Sequence, residues 1–500
     1  MVDLILRNAI VHARSGDDAV AVAGGVIAAV GKGAEVMQFA GADPDVIDCG
    51  GRAIVPGIVD AHCHLFAAAA ALNGVDCRPA AAPNVAAVVS VLQEAAAHGD
   101  GWVRGYGYDD SPVGLGRHLS RHDLDVVATE RPLRVEHRSG HSCVLNSTGL
   151  AAVGIVRSTP DPPGGVIVRD DRGEPTGLLL EMNGWLRERI GRHTGVDAAA
   201  LRRFAQRLLE YGITAVTDAG PENGIQRWRA FAEIVETGAL PQRVTMMVGY
   251  THLKEMRDAG LGYGDTACGG RLTVGHAKIM LTASSGRLHP HPEELSEIVA
   301  MAHGMGYPVA IHAVEQDAVV TAALTLIDHP PPVGQDRIEH CGECPPDVAE
   351  LVAQSGALVV PNTGFLHYDG ERYLRTVCRE LLPHLYPAGA LDALGIPVAP
   401  GSDAPVVEPN PWAAMAAAVS RRTAQGTYLG GTGLVSVADA LDMHTGSNRI
   451  APGCPADLAV VEPEPFATPL DQLPEVRAVL TMVNGRVVWR SGQINRVKVQ

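Results

Sequence analysis

The feature that most constrains the fold is a regular alternation of helix and strand patterns from residue 201 onward. Residues 201–209 carry apolar side chains at helical spacing, and Gly212 then marks a helix end. A strand-like segment follows at residues 213–217, and a second clear helix pattern spans residues 292–305 before Gly306 and Pro308. Alternation of this kind predicts parallel strands joined by helices.

Eight strand candidates can be counted along the chain. The first spans residues 53–59, and the others lie at 213–217, 243–248, 272–274, 309–312, 337–340, 357–360 and 396–399. A closed (β/α)₈ barrel needs eight parallel strands. A chain of 500 residues with 46% hydrophobic residues can bury the large core that such a barrel contains. The sequence therefore predicts an α/β fold with a TIM barrel.

Both ends of the chain carry short strand-like runs and lack the alternation of helices and strands. Short strand-like runs separated by turns occupy residues 2–55, and similar runs with an Asn484-Gly485 hairpin signal occupy residues 457–490. We predict a β-sandwich domain built from residues 1–55 and 451–500, with the barrel at 56–450. Residues 73–200 are rich in Pro, Gly and Arg, with an early helix at 85–97, and are interpreted as a long insertion that covers a site.

Charge and cysteine usage exclude several functional classes. The net charge of −16, without any run of Lys or Arg, argues against nucleic acid or an anionic membrane as partner and favours a small-molecule substrate. We find no secretory signal pattern and no apolar stretch of membrane-spanning length. Nine scattered cysteines do not resemble a disulfide framework, so we expect a reduced, cytoplasmic protein. The Cys341–Cys344 pair lacks the second pair that a zinc site would need.

Polar residues lie at the carboxyl ends of the predicted strands, where barrels build their active sites. His62 and His64 would share one face of the first strand, since side chains alternate along a strand. The others follow later strands: Lys278, His312, His340 and Asp403. A single buried histidine is commonly a hydrogen-bonded core residue, but four histidines, a lysine and an aspartate at one rim favour a divalent metal site.

These positions belong to a wider set of motifs. The sequence resembles the amidohydrolase superfamily, and within it the amidohydrolase 3 branch, which includes N-substituted formamide deformylases. The matching segments are PG at 56–57, DAHCH at 60–64, RSGHS at 138–142, NS at 146–147, PGG at 163–165, GEPTG at 173–177, GITAVTD at 212–218, GSDAP at 401–405 and PGCPADL at 452–458. The resemblance implies a metal-bearing barrel, a β-sandwich from both termini, and an insertion after the first barrel strand.

The resemblance also implies roles for the rim residues. His62 and His64 would hold one divalent metal ion, and His312 and His340 a second, with zinc as the expected metal. Asp403 would bind the first metal and shuttle the proton. Lys278 would be carboxylated and would bridge the two ions as an anion, because a protonated amine beside two cations is repelled. The alternative is an unmodified Lys278 paired with Asp403 or Glu339 at a one-metal site.

The implied reaction is hydrolysis of a non-peptide C–N bond in an amide, an N-substituted formamide or a cyclic amide. Metals lower the pKa of water so that hydroxide exists at neutral pH, and Asp403 would carry its proton to the leaving nitrogen. Glu339 and Asp60 are candidates to orient the histidines. Two other functions stay open, a one-metal deaminase or decarboxylase of a small ring compound and a metal-free binding module, although the complete ligand set disfavours the module.

Substrate contacts are less constrained by the sequence. If the insertion faces the rim, His141 is the first candidate to contact a substrate carbonyl, and Tyr108 and Asn146 are further candidates. Arg287, on the loop after the fourth strand, could bind a carboxylate or phenol, although a solvated loop is the competing interpretation. A barrel of this size is also expected to form a homo-oligomer.

Overall fold

The computed structural model describes residues 2–128, 130–190, 197–283, 286–431, 435–492, 494 and 496–497. Its centre is a parallel sheet in which seven strands pair in chain order. These strands are β1 (Ile58–Cys63), β2 (Ile213–Asp218), β3 (Arg243–Gly249), β4 (Leu272–Met280), β5 (Val309–Ala313), β6 (Arg337–His340) and β7 (Leu358–Val360). A short strand, Thr266–Ala267, pairs antiparallel with β4. The structure therefore confirms the α/β barrel class.

Helices connect the strands as the periodicity predicted. The helix before β2, Ala198–Glu210, buries the predicted apolar face, and the Asp197 side chain accepts hydrogen bonds from the amides that begin it. The other helices that follow barrel strands are Leu65–Ala71, Ile225–Glu236, Leu253–Asp258, Pro292–Gly304, Gln316–Asp328, Pro346–Ser355, Gly364–Tyr368, Gly370–Thr376, Ala388–Ala393, Pro411–Ser420 and Val437–Met443. Within the described ranges, no helix is both long and apolar enough to cross a bilayer.

The predicted eighth strand at 396–399 is not a regular strand in the structure. Only an isolated bridge joins Val398 to Val359 of β7. Pro397 and Pro400 have no amide hydrogen to donate, which prevents a continuous ladder. The segment still closes the barrel, because the Ala399 amide donates to the Val359 carbonyl at 3.0 Å and the Asp403 amide donates to the His62 carbonyl at 2.7 Å.

The predicted first strand at 53–59 is divided between two sheets. Ala53–Pro56 pairs antiparallel with Leu458–Glu462 near the carboxyl end of the chain, whereas β1 starts at Ile58 and pairs with β2. Gly57 forms the junction, and a Cβ atom there would lie 2.2 Å from Oγ1 of Thr214. The chain passes from one sheet to the other at a site where only glycine fits.

Two five-stranded sheets contain strands from both ends of the chain. One sheet consists of Val2–Arg7, Ala19–Ala23, Val26–Gly31, Ala40–Asp48 and Arg496–Val497. The other consists of Ile10–Val11, Ala53–Pro56, Leu458–Glu462, Arg477–Val483 and Arg486–Arg490. Leu6 and Val20 of the first sheet share one buried apolar cluster with Ile54, Val460 and Leu480 of the second. The two sheets therefore pack face to face, while the exact domain boundaries stay a prediction.

The segment between β1 and β2 contains a sheet that the sequence analysis did not predict. Its six strands are Val75–Asp76, Val103–Tyr108, Leu133–His137, Ser142–Leu145, Val166–Arg169 and Pro175–Leu180. Its helices are Val85–Ala96, Arg121–Asp125, Ser147–Ala152 and Asn183–Ile190, the first of which was predicted. We refer to residues 73–190 as the insertion.

Candidate metal centre

The structure brings predicted rim residues together at the carboxyl end of the barrel. His62 is buried near the end of β1, and Asp403 lies just after the segment that closes the barrel. The Oδ1 atom of Asp403 is 3.1 Å from Nε2 of His64 and 3.5 Å from Nε2 of His62. Ligand atoms of His62, His340 and Asp403 all lie within 4.8 Å of one another, which is a spacing that a single metal ion can span.

The histidine rings continue across the rim as a row. The ring centroid of His340, at the end of β6, is 4.8 Å from that of His62 and 4.5 Å from that of His312 on β5. His64, half-buried just before helix Leu65–Ala71, has its centroid 5.3 Å from that of His62. Four imidazoles and one carboxylate therefore meet in one place.

Burial keeps these histidines in the form that binds metals. Loss of hydration lowers the pKa of His62 to about 4 and that of His340 to about 3, and it lowers the pKa of His312 well below its ordinary value. Burial opposes ionisation of Asp403, but the hydrogen bond from His64 and the nearby rings hold its pKa below the ordinary value. At neutral pH His62, His312 and His340 present neutral imidazoles beside the carboxylate of Asp403, which is a donor set that suits zinc and similar divalent ions.

Lys278 on β4 is the unusual member of the site. Its side chain is 1% exposed, and among the described residues its Nζ atom has no hydrogen-bond partner. The pairing with Asp403 or Glu339 that the one-metal alternative requires is therefore not formed as a hydrogen bond. Burial lowers the pKa of Lys278 to about 8, so a fraction of the amine is neutral near pH 7. An unpartnered buried amine fits a group that is modified or engaged by a metal-bound partner.

Glu339 orients the ring of His62, and not that of its sequence neighbour His340. It accepts a hydrogen bond from Nδ1 of His62, and Nε of Arg337 donates to its Oε1 atom at 2.7 Å. Because side chains alternate along a strand, Glu339 points away from its neighbour His340. The extended conformation ends at His340, where φ is 71°. Glu339, on β6, therefore contacts His62, on β1.

Asn362 orients His340, a role that the sequence analysis missed. Its Oδ1 atom lies 2.6 Å from Nδ1 of His340, and its Nδ2 group donates to the Gly401 carbonyl at 2.8 Å. Asn362 comes two residues after β7 ends at Val360, so it follows a strand as the predicted ligands do. That placement is the signal by which it could have been found.

Asp60 supports the loop of Asp403 and does not contact a histidine ring. Its Oδ2 atom accepts from the Ser402 hydroxyl at 2.6 Å, and its Oδ1 atom accepts from the Ser402 amide at 2.9 Å. The backbone amide of His62 also donates to Oδ1, at 3.3 Å. The expectation that Asp60 orients a histidine side chain was therefore wrong, because its carboxylate is occupied by backbone and hydroxyl donors.

The insertion places His141 beside the histidine row. His141 lies in the turn between strands Leu133–His137 and Ser142–Leu145, and its ring centroid is 5.1 Å from that of His312. Its Nδ1 atom is 2.9 Å from Oε1 of Glu181. The insertion therefore reaches the rim, and His141 is the predicted substrate residue that lies at the site.

Tyr108 and Asn146, the other two predicted substrate residues in the insertion, make contacts within it. The Tyr108 side chain is fully buried in the insertion's own core, and its hydroxyl is 3.2 Å from Nδ1 of His118. Asn146 is fully buried at the start of helix Ser147–Ala152, where its Oδ1 atom accepts from the amides of Leu133 and Gly149. Its Nδ2 group donates to two backbone carbonyls. Burial and these bonds tie both side chains to the insertion's own packing, and their contact with a substrate stays a prediction.

Arg287 is exposed on the loop that follows β4. The base of that loop is closed by paired backbone hydrogen bonds between Thr282 and His289, at 3.0 and 2.9 Å. The contact of Arg287 with a substrate stays a prediction.

Comparison with known proteins identifies the family of the chain. The sequence model of the amidohydrolase family, in its amidohydrolase 3 form, matches residues 45–489. The chain belongs to the amidohydrolase family. This confirms the resemblance and makes the protein a metal-dependent hydrolase of that family.

Similar amidohydrolases cover nearly the whole chain. An N-substituted formamide deformylase from Arthrobacter pascens is 28% identical over 97% of this chain and 98% of its own length. The YtcJ protein of Bacillus subtilis (strain 168) is 24% identical over 94% of this chain and 96% of its own. A metal-dependent hydrolase from Pyrococcus horikoshii shares the fold with a TM-score of 0.74 at 20% identity, covering 93% of this chain and 99% of that one.

Proposed function

We propose that this amidohydrolase uses two divalent metal ions, zinc in the first instance, to hydrolyse a non-peptide C–N bond of a small molecule. The observation that carries the proposal is the convergence of four histidines and Asp403 around a buried Lys278 that has no hydrogen-bond partner among the described residues. In a one-metal site this amine would have only the electrostatic attraction of Glu339 and Asp403, whereas in a two-metal site it would be a ligand.

In this proposal His62, His64 and Asp403 would hold one ion, His312 and His340 would hold the other, and a carboxylated Lys278 would supply an anionic ligand to both. The neutral amine of Lys278 attacks carbon dioxide, a C–N bond forms, and one proton leaves to solvent. The product is an anion, which can neutralise part of the charge of two cations in a site where an ammonium would be repelled. Burial supports this step because it favours the neutral amine.

The metals, when bound, lower the pKa of water toward about 7 and polarise the substrate carbonyl. Asp403 then acts as the proton carrier. It is anionic at neutral pH and next to His64, so it can accept a proton from the attacking water and return it to the leaving nitrogen. Asp60 keeps this carboxylate in place through Ser402, because both oxygens of Asp60 bind that residue.

The proposed substrates are amides, N-substituted formamides and cyclic amides. The support is the 28% identity, over 97% of this chain, with a protein named for deformylating N-substituted formamides. The Glu339 and Asn362 contacts add support, since metal-binding histidines usually donate their second ring nitrogen to such acceptors. These contacts fix the rings without selecting one substrate among the three classes.

The test is metal content per chain by elemental mass spectrometry, together with hydrolysis of a panel of N-substituted formamides. We expect about two ions per chain and activity on at least one amide class. Lys278→Ala should abolish activity and lower metal content, and short carboxylic acids should partly restore both. Lys254→Ala, at an exposed lysine that pairs with Asp258, is the matched control and should change neither.

The outcomes separate the candidate functions. About one ion per chain with an active Lys278→Ala variant would support the one-metal deaminase or decarboxylase. No bound metal after reconstitution with zinc and bicarbonate would refute both enzyme proposals.

A further inference from the structure

A fifth histidine, outside the six-residue set, is built like a metal ligand. His141 comes from the insertion and not from a barrel strand, yet its ring packs against His312 with centroids 5.1 Å apart. Glu181 holds it twice: the Glu181 amide donates to the His141 carbonyl at 2.8 Å, and the Glu181 carboxylate is 2.9 Å from Nδ1. The ring is therefore fixed through Nδ1, which leaves Nε2 for another partner.

The same arrangement occurs at two of the predicted ligands. His62 has Glu339 at Nδ1, and His340 has Asn362 at Nδ1. Histidines that bind metals nearly always donate their other ring nitrogen to a carboxylate, a carbonyl or a water, which fixes the tautomer and the ring direction. His141 shows this feature, although a residue that only contacts substrate does not require it.

The spacing of the rings supports the same role. Two imidazoles bound to one tetrahedral ion through bonds of about 2.0–2.1 Å have ring centres roughly 5 Å apart. The centroid of His312 is 4.5 Å from that of His340 and 5.1 Å from that of His141. Both neighbours of His312 therefore lie at a distance that permits a shared ion, as do His62 and His340 at 4.8 Å, so the spacing allows the role and the Nδ1 contact with Glu181 supports it.

His137, four residues earlier at the end of strand Leu133–His137, provides a contrast. Its Nε2 atom is 2.9 Å from Oδ1 of Asp110, and its Nδ1 atom is 2.8 Å from the hydroxyl of Ser139. Both ring nitrogens contact groups of the insertion, and with Asp109 and Asp110 the ring forms a cluster of possible ligand atoms separate from that of His62, His340 and Asp403. Proximity to a carboxylate alone does not produce the His141 arrangement.

We propose that His141 is a metal ligand supplied by the insertion, binding through Nε2 the same ion as His312 and His340. The proposal rests on the two-metal site described above and adds a ligand to it. It replaces the expected contact between His141 and a substrate carbonyl. The metal then ties the insertion to the barrel, and Glu181 is a positioning residue that acts through His141.

The experiment is a competition titration of the full-length protein with a chelator of known zinc affinity, in the absence of substrate. His141→Ala should reduce the tightly bound ions from about two to about one per chain. Glu181→Ala should weaken one ion by about 10–100-fold. Glu181→Gln should have a smaller effect, because the amide oxygen can still accept from Nδ1. His137→Gln is the matched control and should bind both ions as the parent protein does.

A second readout does not depend on affinity. In protein loaded with Co²⁺, loss of an imidazole ligand should change the visible absorption spectrum in His141→Ala but not in His137→Gln. Thermal unfolding of each variant shows whether it is folded, and Glu181→Gln keeps the size of the native side chain if His141→Ala does not fold.

The results distinguish this inference from the proposed function. If the parent binds two ions and the His141 and Glu181 variants bind both with unchanged affinity and spectrum, the ligand role is wrong and the substrate contact stands. If the parent binds no metal, the inference fails together with the two-metal proposal. A lost ion and an altered Co²⁺ spectrum, limited to the His141 and Glu181 variants, would support the inference.

Discussion

The barrel rim and the insertion both reach the histidine cluster, but they place their side chains by different means. In the barrel, His62, His312 and His340 lie at or near the ends of parallel strands, so the position of a residue in its strand sets its place in the site. In the insertion, His141 lies in a turn between antiparallel strands, and Glu181 must hold it there. A strand end places the residue by topology, so Glu339 and Asn362 only orient the rings of His62 and His340, whereas in the turn Glu181 binds the backbone of His141 as well as its ring.

The largest effect on activity is expected from a substitution at the barrel rim. Asp403→Asn removes the group that accepts the water's proton, because an amide cannot carry it. We expect kcat to fall by about 10²–10⁴-fold at saturating metal, with the fold retained. Steady-state kinetics of the purified variant measure this fall, and Asp258→Asn at an exposed helix pair is the control. An unimpaired rate would remove Asp403 from the proposed reaction.

Two buried asparagines allow a direct comparison of the regions. The side chains of Asn362 and Asn146 are both fully buried, and they make two and four hydrogen bonds respectively. On the barrel side, Asn362→Ala frees the ring of His340. We expect metal affinity to weaken by about 10–100-fold, measured by chelator competition. Unchanged affinity would mean that the rim is rigid without this contact.

On the insertion side, Asn146→Ala should affect stability alone. The substitution removes a helix cap and leaves the Leu133 amide without its acceptor, so we expect a loss of about 1–3 kcal/mol in the free energy of unfolding. Denaturant titration measures this loss, and metal affinity should match that of the parent. A large loss of metal from this variant, with little change in stability, would show that Asn146 belongs to the site after all.

The barrel was predictable because its patterns are local and regular. The helix Ala198–Glu210 buries the residues that its periodicity selected, and the rim histidines occur just where apolar runs end. The exceptions also have local causes. Pro397 and Pro400 interrupt the last strand, and the run at 53–59 reads as one strand although Gly57 divides it.

The insertion sheet was missed because its strands contain glycine where alternation would be expected. Gly105 and Gly107 lie within Val103–Tyr108, and Gly177 lies within Pro175–Leu180. At Gly177 φ is 97°, and a Cβ atom would lie 2.5 Å from the Leu145 carbonyl oxygen. These glycines allow close backbone packing, but in a sequence they indicate turns. Glu181 and Asn362 were missed because their partners are distant in the chain.

The pairing of Ala53–Pro56 with Leu458–Glu462 also matters while the protein is being synthesised. Ala53–Pro56 emerges from the ribosome early, soon after its neighbour Ile10–Val11, but its other neighbour Leu458–Glu462 is made some four hundred residues later. At about 5–20 residues per second, this strand edge stays unpaired for roughly 20–80 seconds. The nascent chain therefore exposes an apolar edge for most of its synthesis, and assembly of the terminal sheets is a late step of folding.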